Sequence, residues 1–171
     1  TNDKVENMPA DGYYLVNDRI TLSAPTREGY TFLGWSAAQD TPVITANPET
    51  DGETLYPADH EWTVIGDVTF TAVWEPVEYT ITYNWRGVVK PADVKNVNNP
   101  ETFTADELPI TLKAPDFKNN EWPQKFLNWR DAEGNVVTQI TESGNVELYA
   151  YYQFPVRYTV YDENGQKVDN L

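Results

Sequence analysis

Three tryptophans, Trp62 in "HEWTV", Trp85 in "YNWRG" and Trp122 in "NEWPQ", sit in surroundings that occur only once in the chain. Indole rings exposed in loops stack on sugar rings or anchor a protein partner. These three are therefore the candidate ligand-binding residues, with a protein or a glycan as the partner. Packing against loops or at a joint between modules competes with that account, and it is favoured because an indole buries so much area.

Catalytic groups are harder to assemble. The serines are Ser23, Ser36 and Ser143 and the one histidine is His60, so a serine–histidine pair has a single base to draw on. In "ADHEWTV", His60 reads as a loop or strand-edge residue. The neighbours Asp106 and Glu107 supply two carboxylates, the groups a glycosidase uses, but they read better as solvated turn residues. Cysteine is absent, which excludes disulfides, zinc–thiolate sites and cysteine nucleophiles. Calcium is worth weighing at "DAEGN" (131–135) and "DENGQKVD" (162–169), where oxygen ligands gather around a glycine. Neither fits the twelve-residue calcium loop with its terminal bidentate Glu, and both lie between strand-like runs, so hairpin turns are preferred. The chain is read as non-enzymatic, with no cofactor and no resident metal.

Charge narrows the partners. The 171 residues carry 27 acidic and 12 basic side chains, a formal charge of −15, spread along the chain without forming a tail. That field repels nucleic acid and anionic lipid. No apolar run approaches the roughly 20 residues of a membrane helix, so no membrane insertion by this segment is expected. With neither a starting Met nor a signal peptide, the chain is expected to be a piece of something longer.

The elements that must position these groups announce themselves by repetition. "REGYTFLGWS" (27–36) and "GDVTFTAVW" (66–74) return as "PQKFLNWR" (123–130) and "GNVELYAYY" (144–152); "ITLSAP" (20–25) returns as "ITLKAP" (110–115), and "PVEYTITY" (76–83) as "PVRYTVYD" (155–162). Such self-similarity marks tandem modules. It divides the chain into a first module at 1–76, a second at 77–155, and a tail at 156–171 that either opens a further repeat or simply ends the segment. Their formal charges are −10, −4 and −1. Proline at each junction favours a stiff joint over a floppy tether.

Strand is the dominant local signal. Val68, Phe70, Ala72 and Trp74 alternate with Thr69, Thr71 and Val73, as Val146, Leu148, Ala150 and Tyr152 do with Glu147, Tyr149 and Tyr151. Period two with one apolar face is a half-buried strand. Helix signals are weak: "TADELP" offers a cap and an acidic first turn before Pro109 stops it. In a plain strand Phe32 and Trp35 would face opposite sides, and so would Phe126 and Trp129. A bulge at Gly34 and at Asn128 restores each pair to one face, and Gly and Asn are the residues that best accept positive φ. The expected cores are Phe32, Trp35, Phe70, Ala72 and Trp74 in the first module and Phe126, Trp129, Leu148, Ala150 and Tyr152 in the second.

These words, "YTITY", "ITLxAP", "GYTFLGW" and "VTFTAVW", resemble the Listeria-Bacteroides repeat, also called the internalin B-repeat. The match is fuller in the first module than in the second, which has Pro123-Gln124-Lys125 in place of "GYT". The resemblance implies two tandem β-grasp-like modules, mainly β or small α+β, with short mixed sheets and little helix. It implies an extracellular setting on a bacterial cell surface or cell wall. The function expected is that of a semi-rigid spacer or stalk, monomeric, with neighbouring repeats in the full protein. Two alternatives stay open, an adhesin module binding through exposed aromatics and an accessory region of a secreted enzyme. The first module also lacks a match to the opening strand "YTITY", while the tail carries a spare one in "VRYTVY".

Overall fold

A computed structural model describes residues 4–39, 55–87, 91–118 and 125–168; Trp122 lies outside them. The protein is mainly β. Among the described residues the helices are two single 3-10 turns, Pro91–Asp93 and Ala105–Glu107, the second falling where "TADELP" predicts a brief helix.

In chain order the first strands are β1 (Val5–Glu6), β2 (Arg19–Leu22), β3 (Thr26–Arg27), β4 (Tyr30–Gln39), β5 (His60–Thr63), β6 (Val68–Pro76) and β7 (Tyr79–Asn84). There follow β8 (Val94–Asn96), β9 (Thr102–Phe103), β10 (Ile110–Thr111), β11 (Asp116–Phe117), β12 (Lys125–Arg130), β13 (Val136–Val137), β14 (Gln139–Ile140) and β15 (Val146–Gln153). The last are β16 (Val160–Tyr161) and β17 (Lys167–Val168).

The chain forms two compact units: Thr1–Thr80 with Thr102–Ile110 and Thr141–Asn145, and Ile81–Glu101 with Thr111–Ile140 and Val146–Leu171. This division by contacts changes over within β7, just past the boundary at residue 77 that the repeats suggest. The reason is local bonding around β7. Tyr79 and Thr80 pair with Phe103 and Thr102, and the Asn145 amide oxygen accepts from the Thr80 N–H at 2.9 Å, all within the first unit. From Ile81 onward β7 instead runs parallel to β15, with Ile81 opposite Val146 and Tyr83 opposite Leu148.

The repeated words become repeated strand pairs. Antiparallel β1–β3, β2–β5 and β4–β6 have counterparts in β8–β11, β10–β14 and β12–β15. In both long pairs the register slips at the same place: Phe32 faces Trp74 but Gly34 faces Val73, and Phe126 faces Tyr152 but Asn128 faces Tyr151. Leu33 and Leu127 are the extra residues, each 45% exposed. The bulge does what the spacing demands, since Phe32 and Trp35 meet edge to face at 5.5 Å and the tilted rings of Phe126 and Trp129 meet at 5.1 Å.

One expectation about this bulge fails. Gly34 has φ +147°, but Asn128 is absent from the residues with positive φ. What singles out Gly34 is a neighbour: Trp35 and Tyr56 exchange both backbone hydrogen bonds at 2.8 and 2.9 Å, and a Cβ on Gly34 would lie 2.9 Å from the Tyr56 carbonyl oxygen. Asn128 uses its side chain, accepting from Arg130 Nε at 3.1 Å.

The two words also bind each other. The indole N–H of Trp35 donates to the carbonyl of Ser23 at 3.2 Å, and that of Trp129 to the carbonyl of Lys113 at 2.9 Å. Ser23 and Lys113 hold the variable position of "ITLxAP", which explains its variability: only the backbone oxygen is used. Trp35 and Trp129 are each 2% exposed. Around Trp35 gather Leu22, Ala37, Tyr56 and Trp62, with Ile20, Phe32, Val64, Val68, Phe70 and Ala72 packed against them. Trp74 joins through Phe32, at 5.4 Å. In the second unit Leu148 and Ala150 are fully buried, while Tyr152 is half-buried against Phe126 at 6.2 Å. Burial pushes the Tyr152 phenol up to about 12, and its hydroxyl has no hydrogen-bond partner among the described residues. Each large apolar side chain sealed in this way contributes about 1.5–3 kcal/mol, which is how units this small stay folded without disulfides.

Candidate functional site

Among the described residues, the tryptophans singled out by the sequence do not offer free faces. Trp62 is 2% exposed, its ring edge-on to Tyr56 and to Phe70, each at 5.2 Å. Trp85 is 9% exposed and packs on Trp129 at 5.4 Å. Both pack within their units, the alternative that the large area of an indole favours. The alternation "HEWTV" already places Trp62 on the inward side of β5, opposite Ile20.

The polar candidates resolve into local structure. His60 lies at the start of β5, its ring 5.0 Å from that of Tyr56. Glu107 accepts from the Thr104 N–H at 2.7 Å, and Asp106 accepts the Tyr30 hydroxyl. "DAEGN" and "DENGQ" make one and the same turn. In each, the aspartate carboxylate accepts from a backbone N–H four residues on, at 2.7 Å for Asn135 and 2.8 Å for Gln166, around a glycine of positive φ. Among the described residues no group of three or more His, Cys, Asp or Glu is placed to hold a metal.

A different surface emerges where the two repeats diverge. On β15 the residues between the buried ones are Glu147, Tyr149 and Tyr151, in the positions that Thr69, Thr71 and Val73 hold on β6. On β12, Asn128 and Arg130 stand where β4 has Gly34 and Ser36. The outward face of the second unit's sheet is therefore aromatic and cationic, whereas the first is small and neutral.

The geometry of this face is ordered by Tyr151. The guanidinium carbons of Arg86 and Arg130 lie 4.5 and 4.4 Å from the centre of its ring. Arg86 Nη1 also donates to the Tyr151 hydroxyl at 2.7 Å. Arg130 is tied down by Nε to Asn128 and by Nη1 to the Gly134 carbonyl, at 3.1 and 3.2 Å. Alongside, Asn84 donates to Glu147 at 3.4 Å. A hydrogen bond to Glu147 raises the Tyr149 phenol above its ordinary range, with burial and the charges of Glu147 and Glu133 adding to it and Arg86 opposing. Each guanidinium has five N–H donors in a planar fork, and these bonds use only one or two of them. Side chains already fixed by such contacts lose little freedom on binding. The arrangement suits recognition of sugar hydroxyls or a carboxylate. It places no nucleophile beside a base.

No family model, no curated protein and no solved structure matches the chain. Among the described residues no helix is long and apolar enough to cross a membrane.

Proposed function

We propose that the chain is a non-enzymatic segment of a bacterial cell-surface protein, a semi-rigid spacer of tandem β-grasp-like modules of the Listeria-Bacteroides type. One observation carries the reading. The repeated words fold into the same strand pairs in each unit, β1–β3, β2–β5 and β4–β6 answered by β8–β11, β10–β14 and β12–β15, with a bulge at the same place in both long pairs, as tandem modules require. Spin labels on cysteines at the exposed positions Glu61 and Glu133, introduced into a chain with no cysteine of its own, test it. A single narrow distance distribution is expected. A broad or multi-peaked distribution defeats the spacer reading.

The Tyr149, Tyr151, Arg86 and Arg130 face favours a second reading, an adhesin module for a host or cell-wall protein or glycan. On glycan and host-protein arrays, Tyr149→Ala with Tyr151→Ala is expected to abolish any binding by the parent chain while circular dichroism stays unchanged. Binding retained by the double variant would remove this face from consideration.

A further inference from the structure

Two guanidinium groups are held against one tyrosine and away from any carboxylate. Arg130 reaches Tyr151 from β12 and Arg86 from just past the end of β7, the strands on the two sides of β15. Among the described residues the ion pairs are Lys4 with Glu6 and Arg19 with Glu61, so neither Arg86 nor Arg130 has an acidic partner there. In a chain with 27 acidic side chains against 12 basic ones, acidic partners are not in short supply. Both guanidinium carbons lie within 4.5 Å of one ring centre, and like charges this close repel. An anion laid across the two relieves the repulsion.

The neighbours limit what that anion can be. Glu147 and Glu133 both lie near enough to Tyr149 for their charges to act on it, and the chain as a whole carries −15, so a ligand with many negative charges is turned away. One carboxylate suits the planar forks of the two arginines. Around them stand Asn84, Asn128, Glu147 and Tyr149, whose amide, carboxylate and phenol groups pair with hydroxyls. The exposed aliphatic side chains Leu127 and Val136 sit apart, at the bulge and on the edge strand β13. A protein partner needs a desolvated apolar pocket for its anchoring side chain, whereas a sugar needs hydroxyl partners and an aromatic neighbour.

We propose that this face binds a glycan through a sugar bearing a single carboxylate, a uronic or sialic acid, its carboxylate across Arg86 and Arg130 and its ring beside Tyr149. The assignment rests on the adhesin reading of the same face and names the ligand class within it.

Nuclear magnetic resonance titration of the full chain, following the arginine Nε–H signals, tests it. At least one of methyl glucuronide, methyl galacturonide and methyl sialoside is expected to shift the signals of Arg86 and Arg130. Methyl glucoside, which lacks the carboxylate, and acetylglutamate amide, which lacks the ring, should bind about tenfold more weakly or worse. Arg86→Gln with Arg130→Gln should abolish the response in a chain whose circular dichroism is unchanged. Arg130→Lys keeps the charge but loses the fork, and should weaken binding about tenfold even if the double variant does not fold. Arg19→Gln removes the same charge from the other unit and should change nothing. Glucoside binding as tight as that of the acids would overturn the carboxylate assignment and leave the adhesin reading standing. Acetylglutamate amide binding as tightly as the sugar acids would turn the face over to acidic proteins and overturn the proposal. No shift with any sugar acid, or a response that survives in the arginine variants, overturns it as well.

Discussion

Replacing Trp35 or Trp129 by alanine is expected to cost about 3–5 kcal/mol, the range for truncating a large aromatic in a packed core. Each indole is 2% exposed and touches the bulge phenylalanine beside it, and each donates its N–H to the variable residue of "ITLxAP". One change therefore empties the centre of a unit and detaches the segment that covers it. Domains carry roughly 0.05–0.15 kcal/mol of stability per residue, so a unit of this size loses from about a quarter to all of what it has. Urea titration followed by far-ultraviolet circular dichroism measures the loss. Phenylalanine at either site should cost visibly less, since it keeps most of the buried area and forfeits the hydrogen bond. A cost below about 1 kcal/mol for the alanine variants would contradict the role assigned to these rings.

The second large effect separates two positions that the repeat treats as equivalent. Gly34→Ala should destabilise by about 2–4 kcal/mol, combining the strain of a side chain at φ +147° with a Cβ forced to 2.9 Å from the Tyr56 oxygen. Tyr56 cannot simply retreat, because its bridge to Trp35 would break. Gly34→Val should be worse. At Asn128 the sign reverses: Asn128→Gly should cost about 0.5–1 kcal/mol, the ordinary penalty for glycine in a strand. If Asn128→Gly instead stabilised the protein, a left-handed backbone at that site would have to be restored. Denaturant midpoints for the three variants decide the matter.

That contrast shows where the sequence was legible. Alternation and repeated words placed the long strands, and the three-residue spacing of Phe32 and Trp35 required a bulge, because strand geometry leaves no other way to put both rings on one face. The backbone at Asn128 was not legible, since what demands glycine at 34 is the approach of Tyr56, a residue 22 positions away that belongs to no shared word. Lying outside the repeated pattern says nothing of the exposure of Trp62, whose own period-two neighbourhood points inward. The Tyr151 face was not legible, because repeated words mark only the positions that agree. The surface is made of positions that differ, Tyr149 and Tyr151 against Thr71 and Val73, on a scaffold that stays the same.

The parallel pairing of β7 with β15 also governs the order in which the chain can fold. Ile81 meets Val146 only after 64 intervening residues have been made, whereas the antiparallel pair β4–β6 is joined by a shorter stretch of chain. Long-range parallel contacts are slow because the loop entropy is lost before the pairing rewards it. During synthesis from the N-terminus, Trp35 can be sealed while Trp129 still waits for the last strand of its sheet. In an array of such units each nascent repeat would hold one apolar edge open for the whole time its own sequence takes to emerge, and the wait lengthens with every loop insertion between its first strand and its last.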